Sequence, residues 1–135
     1  MRVPLLPWPV RAAAAVAVAA AIFAVSVTRP PEAAAVLGPL GLVGMDKWVH
    51  AVAYGGLAVT VAYAVPARSR TRLVIAVGAA VGFGLVVESV QYGLPFRSFD
   101  LVDATANATG AVLAAAVWRL LSVGRRLEPV EDVDD

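Results

Sequence analysis

LVIAVGAAVGFGLVVESVQYGL, residues 73–94, holds a single charged side chain, Glu88, in an otherwise apolar run. A helix needs roughly 20 predominantly apolar residues to cross the hydrocarbon core, with about 17 to 25 tolerated, so the run reads as a transmembrane helix. Three further runs satisfy the same criterion. The first is Ala12 to Thr28, set between Arg11 and Arg29. The second, Trp48 to Val65, stops at Pro66, and the last extends from about Leu101 to Leu121. The expected fold is all-α: a polytopic membrane protein, a four-helix transmembrane bundle occupying residues 1–124. An acidic, proline-containing tail over 125–135 is expected to be disordered.

Composition supports this reading. Of 135 residues, 60% are hydrophobic and 16% charged. A soluble domain of this size has a large surface for its volume and needs more polar residues to cover it. The chain has no cysteine, which removes disulfides, thiolate metal sites and cysteine nucleophiles, and its single histidine argues against a conventional zinc site. The net charge is +1 and the arginines are dispersed, so nucleic acid is not an expected partner.

Orientation follows from the basic residues. With the N-terminus inside, Arg2, Arg11, Arg68, Arg70, Arg72, Arg119, Arg125 and Arg126 lie on the cytoplasmic side, and Arg29, Lys47 and Arg97 outside. The three outer cations lie close in sequence to Glu32, Asp46 and Asp100. The positive-inside rule then puts both termini in the cytoplasm of a multi-pass cell-membrane protein. The basic start and Ala-rich first run also fit a cleaved signal peptide. The run exceeds a usual signal core, which favours a retained helix. The Pro- and Gly-containing segment from Arg29 to Gly44 is expected to be an irregular outer loop.

Polar residues inside the apolar runs are few and aligned. Lys47, His50 and Tyr54 follow spacings of three and four, and Asp46 lies one turn before His50, so they share a helix face. Glu88 pairs with Gln91 and Tyr92 by the same rule. Asp100, Asp103, Asn107, Gly110 and Ala114 repeat as three, four, three, four: a polar stripe grading into small residues, suited to packing against another helix. In the expected topology all three stripes meet at the outer end. Gly78 and Gly82 form a G-x-x-x-G step, a further expected site of close helix packing.

Each residue has a structural role to weigh. Asp46, Asp100 and Asp103 sit near helix starts, where a short acid caps free N–H groups. Tyr54 suits an interface or packing position, Lys47 and Arg97 can snorkel to headgroups, and Asn107 can bond to a neighbouring helix. Glu88 is different. It lies toward the C-terminal end of its helix, where the dipole disfavours an anion, and a carboxylate within a span costs roughly 2.5 to 3.5 kcal/mol. It therefore faces the bundle interior with a partner, Lys47, His50 and Arg97 being the candidates, or is carried in its protonated form. His50 beside carboxylates can carry a proton. Glu88, His50 and Asp103 are the expected reacting groups, and Asp46, Lys47, Tyr54, Gln91, Arg97, Asp100 and Asn107 the expected binding groups. A hard-metal site of Asp46, Glu88, Asp100 and Asp103 is chemically allowed, but no ligand spacing singles it out, and neither metal nor cofactor is assigned.

DKWVHAVAYGGLA, Asp46 to Ala58, and VESVQYGLPFRSFDLVDATANATGA, Val87 to Ala111, taken in this order, resemble the VanZ-like family of small integral membrane proteins. The matching positions are Asp46, Lys47, His50 and Tyr54, then Glu88, Gln91, Arg97, Asp100, Asp103, Asn107 and Gly110. The chain has Ala51 where an aromatic commonly follows the histidine, and Ala114 where a glycine often ends the last motif. The resemblance covers the last two-thirds of the chain and implies four helices and a membrane location. The family takes its name from a protein associated with resistance to the glycopeptide antibiotic teicoplanin, which suits an outward-facing site in the cell envelope.

Two functions fit these residues. The first is binding or modifying an envelope lipid or lipid-linked glycan, with Lys47 and Arg97 meeting an anionic headgroup and Glu88 with His50 moving a proton or orienting it. Ser89 and Ser98 lie nearby without a base–orienter arrangement, so no nucleophile is marked. The second is a proton-coupled small transporter or a non-catalytic helper subunit of a membrane complex. Because the chain lacks cysteine, orientation is directly testable. A Ser69→Cys thiol should react with a membrane-impermeant maleimide only after the membrane is opened. Labelling of intact cells would reverse the topology.

Overall fold

A computed structural model of the protein describes residues 5–28, 36–97 and 100–123. These form four α-helices: α1, Trp8–Ser26; α2, Met45–Ala64; α3, Arg70–Tyr92; and α4, Leu101–Val123. There is no strand among the described residues; an isolated bridge joins Leu37 and Gly44. Arg2, Arg29, Glu32, Ser98, Arg125, Arg126 and the tail at 125–135 fall outside the described residues.

Three of the helices, α1, α3 and α4, are long and apolar enough to cross a membrane; α2 is not among them. It has 20 residues, so composition rather than length sets it apart. Its first two turns carry Asp46, Lys47 and His50. The first helix starts at Trp8, four residues before the apolar run, and so includes Arg11. Proline in its first turn suits a position where a missing N–H costs nothing. Arg11 is tolerated there because it turns inward. Its Nη1 donates to the Tyr63 carbonyl at 2.9 Å near the C-terminal end of α2, where free carbonyls and the helix dipole favour a cation. The same guanidinium lies 5.8 Å from the centre of the Tyr63 ring.

Successive helices run in opposite directions. Ser69 caps α3 by accepting from the Arg72 N–H at 3.2 Å. Trp118, late in α4, donates to the Ala67 carbonyl in the α2–α3 connection. At the other end, Gln91 of α3 donates to the Ser26 carbonyl of α1 at 3.0 Å. The starts of α2 and α4 therefore share an end with the finish of α1 and α3. Residues 36–44 lead into α2 through a tight turn, closed by Gly38 N–H to Val43 O at 2.8 Å and Met45 N–H to Val36 O at 2.7 Å. Gly41 occupies the left-handed region there, with φ 64°.

The pair α2 and α4 makes the most extensive contact, with α3 packed on both and α1 on α2. Small residues permit this. A Cβ on Gly55 would lie 3.1 Å from the Gly110 carbonyl oxygen, and a Cβ on Gly110 would overlap the Ala51 backbone. The α4 stripe that grades into small residues is therefore the face that meets α2, as its spacing predicts. The G-x-x-x-G step is not: nothing lies within 4 Å of a Cβ on Gly78 or Gly82. Close packing on α3 falls instead at Gly84, where a Cβ would stand 3.0 Å from Tyr54 and 3.2 Å from Asn107. The core below is small and apolar, with Leu57, Ala58, Ala80 and Ala111 in one cluster and Ala62, Ala67 and Ala76 in the next.

Gly110→Ala should force α2 and α4 apart and cost about 1 to 3 kcal/mol, as overpacking does. Gly78→Ala should leave stability unchanged or slightly raise it through better helix propensity. Thermal unfolding of the two variants in detergent should separate them by several degrees.

Candidate functional site

The first turns of α2 bring Lys47 and His50 onto one face, and the first turns of α4 bring Asp103 and Asn107 opposite them. Lys47 Nζ is 2.8 Å from Asp46 Oδ2 and 2.8 Å from Asp100 Oδ2, and bonds Asp103 Oδ1 as well. One ammonium thus holds three carboxylates and joins the N-terminal ends of both helices. The group sinks inward from its rim: the Asp100 side chain is 37% exposed, Asp46 33%, Lys47 18%, and His50 and Asp103 each 14%. Lys47 does not snorkel away from the bundle.

Asp100 acts as the cap the sequence predicts, its Oδ1 accepting from the Val102 N–H at 2.7 Å. The hydrogen bond from Lys47 holds its carboxyl below the usual aspartate value, against a smaller opposing push from burial. Asp46 plays a different part. The residue at the start of α2 is Gly44, with no side-chain cap, and Asp46 serves as a partner of Lys47.

One turn deeper, His50 Nδ1 lies 2.9 Å from Asn107 Oδ1, and His50 Nε2 lies 3.6 Å from Asp103 Oδ2. With the amide oxygen as acceptor, Nδ1 donates in that bond and Nε2 is the ring nitrogen that faces Asp103. Asn107 is therefore a helix-to-helix bond that also sets the tautomer. The Tyr54 ring lies parallel to His50, with centroids 6.4 Å apart, and closes the inner side of the group.

Glu88 arrives from α3. It is 1% exposed. Its Oε2 accepts from the backbone N–H of Asp100 at 3.3 Å, which resolves the difficulty of its position. Although it lies near the C-terminal end of its own helix, its carboxylate faces the N-terminus of α4, where the dipole is positive. Neither Lys47 nor Arg97 is its partner. One donor atom each from His50, Glu88 and Asp103 all lie within 4.8 Å of one another. The three groups expected to react are therefore brought together.

Two expected binding residues lie elsewhere. Gln91 is buried and ties α3 to the end of α1 through the Ser26 carbonyl. Arg97 donates from Nε and Nη2 to the Thr28 carbonyl at 3.3 and 3.0 Å. Gln91 satisfies a carbonyl that the end of α1 leaves without a partner, and Arg97 one just beyond that end; such acceptors carry no side-chain signal in the sequence. Ser89 donates to the Leu85 carbonyl of its own helix at 2.7 Å, so it is not activated by the cluster. Ala51, marked in the sequence only as a departure from the family motif, and Gly84, which follows the G-x-x-x-G step, also shape the site. The first is the residue against which Gly110 closes, and the second leaves room for Tyr54 and Asn107; only the glycine hinted at this.

Apolar helices that gather carboxylates, an ammonium and an imidazole at one end define a membrane protein with a polar site in its helix interface. Residues 7–122 match the model of the VanZ/LLP1 family, and the chain belongs to that family. The match takes in α1, beyond the motifs of α2 to α4 that carry the resemblance. No curated protein and no solved structure matches the chain.

Removing Lys47 leaves three carboxylates without a shared counter-ion. Lys47→Met should cost about 2 kcal/mol, less than the roughly 3 to 5 kcal/mol of a fully buried pair because the group is partly exposed; Asp46→Asn should cost less than half as much. The Asp100 contribution has a defined sign. A depressed carboxylate stabilises the fold above its ordinary value of 3.8 and loses that contribution as pH falls through the depressed value. Thermal unfolding of wild type should weaken below about pH 4, and Asp100→Asn should flatten that dependence.

Proposed function

We propose that this protein spans the cell membrane four times with both termini in the cytoplasm. Its polar cluster faces outward and binds or modifies the headgroup of an envelope lipid or lipid-linked glycan. On this reading it acts in the cell envelope, where a link to glycopeptide-type antibiotic resistance follows from the resemblance to VanZ. The inclusion of α2 as a span is supported by where its polar groups go. Lys47, His50 and Tyr54 point into the bundle, while Val49 and Val52 are exposed on its outer side, so the surface left to lipid is apolar.

The observation that carries the reading is a set of unpaired atoms. Tyr54 Oη, Glu88 Oε1 and Asn107 Nδ2 are buried without a hydrogen-bond partner. They come from three helices, and the Tyr54 ring and Asn107 Nδ2 both border Gly84, one turn before Glu88 on α3. Leaving a buried polar group unsatisfied costs about 1 to 3 kcal/mol, and a ligand rich in hydroxyl, amide or amine groups would satisfy all three. The expectation that Lys47 and Arg97 receive a phosphate fits less well, since Lys47 is held by three carboxylates and Arg97 by a carbonyl. A sugar or amine headgroup, which donates to carboxylates, suits the cluster better. His50 and Glu88 then stand where they can accept and return a proton.

A proton path across the bundle would need polar groups continuing inward. Beneath Tyr54 the described core is Leu57, Ala58, Ala62, Ala76, Ala80 and Ala111, and no observation favours the transporter or helper-subunit alternative.

Mass spectrometry of lipids that co-purify with the protein tests the proposal. Wild type should retain an envelope lipid or lipid-linked glycan above its abundance in the membrane extract. Glu88→Gln should lose it by about tenfold, consistent with roughly 1.4 kcal/mol for one charged hydrogen bond. The absence of any enriched lipid from wild type would count against the reading.

A further inference from the structure

We propose that His50, Glu88 and Asp103 form a binding site for one divalent transition-metal ion of the zinc or manganese type. The inference goes beyond the headgroup reading and does not need it.

The donor set comes first. One imidazole nitrogen and two carboxylate oxygens, one from each of α2, α3 and α4, lie within 4.8 Å of one another. Ligand atoms around a four-coordinate zinc, at about 2.0 to 2.1 Å from the metal, stand roughly 3.4 Å apart. The 3.6 Å between His50 Nε2 and Asp103 Oδ2 already matches one edge of that figure. The remaining edges are no longer than 4.8 Å, so each needs to shorten by at most about 1.4 Å.

The second observation is independent of the clustering. Glu88 is 1% exposed, and its Oε1 is without a partner. Its other oxygen is turned to the Asp100 N–H. A buried carboxylate oxygen with no donor is costly, and a cation placed between it, His50 and Asp103 removes that cost.

The surroundings are arranged as outer partners of a metal are. A ligating histidine commonly hydrogen-bonds through its other nitrogen, which fixes the tautomer and ring orientation. His50 does so through Nδ1 to Asn107 Oδ1, at 2.9 Å. Asp103 is held through Oδ1 by Lys47, which leaves Oδ2 to the proposed ion. Charge argues the same way. Asp46, Asp100 and Asp103 share a single ammonium, Lys47, while Glu88 is held by a backbone N–H and Arg97 is turned to Thr28. A divalent ion would offset most of that excess.

The ligand types narrow the metal. Imidazole is not a usual ligand of magnesium or calcium, and the absence of sulfur disfavours copper(I). Zinc or manganese with one nitrogen, two oxygens and open positions fits. Sequence spacing hid the set, because its members come from three helices and are 38 and 15 positions apart in the chain.

The test uses the full chain in detergent, stripped with chelator and equilibrated with Zn²⁺ or Mn²⁺ alone. Wild type should bind about one equivalent, measured by elemental analysis after dialysis. His50→Ala and Glu88→Gln should each weaken binding at least tenfold, and Ser89→Ala, whose hydroxyl is bonded within its own helix, should leave it nearly unchanged. A readout that needs no variant comes from the single histidine. In ¹⁵N-histidine-labelled wild type, Zn²⁺ should shift the Nε2 resonance and leave Nδ1 protonated. Failure of both ions to bind saturably, or binding with no change at His50, would overturn the proposal. Neither result depends on lipid: failure of metal binding leaves the headgroup reading in place, whereas a bound ion takes up Glu88 Oε1 and leaves Tyr54 Oη and Asn107 Nδ2 to a headgroup.

Discussion

The close crossing of α2 and α4 is the constraint on which the rest of this structure depends. Gly110 lies so near the Ala51 backbone that no side chain fits between them, and Gly55 meets the Gly110 carbonyl from the other side. Helices that approach this closely place the side chains one and two turns away in direct reach of one another. Lys47 then reaches Asp103, and His50 reaches Asn107. In a bilayer, where lipid tails are as apolar as leucine, such association rests on packing and interhelical hydrogen bonds rather than on hydrophobic burial. The glycines supply the first and the polar stripes the second.

Charge within the interface is managed by the ends of helices as much as by ion pairs. Glu88 meets the start of α4, Arg11 the end of α2, and Gln91 and Arg97 the carbonyls at and just beyond the end of α1. Each places a polar side chain where backbone groups are left free. This explains why a chain of mostly Ala, Val and Leu tolerates charged residues in or beside its apolar runs. The functional consequence is that several residues that look available for ligand are already spent on the scaffold. What remains unspent lies at His50, Glu88, Asp103 and the buried atoms of Tyr54 and Asn107.

Much of this was legible in the sequence. The four apolar runs and their boundaries at Pro66 and near Leu101 gave the helices, because apolar length and proline act locally. The three-four periodicity of Asp103, Asn107, Gly110 and Ala114 identified the packed face of α4, since a helix fixes which residues share a side. The family match over residues 7–122 agrees with the motifs read from Asp46 to Ala58 and Val87 to Ala111. The G-x-x-x-G step at Gly78 and Gly82 misled, because small residues permit close approach without requiring it; the contact went to Gly84.

Tertiary structure alone decided the partners. No local rule connects Glu88 to the backbone of Asp100, or separates Arg97, which holds a carbonyl, from Lys47, which gathers three acids. Helical periodicity is a property of neighbours along the chain, so it can be read from residue order. Pairing between helices depends on their axial offset and rotation, which glycine contacts far from the polar residues set, and residue order carries those only in combination.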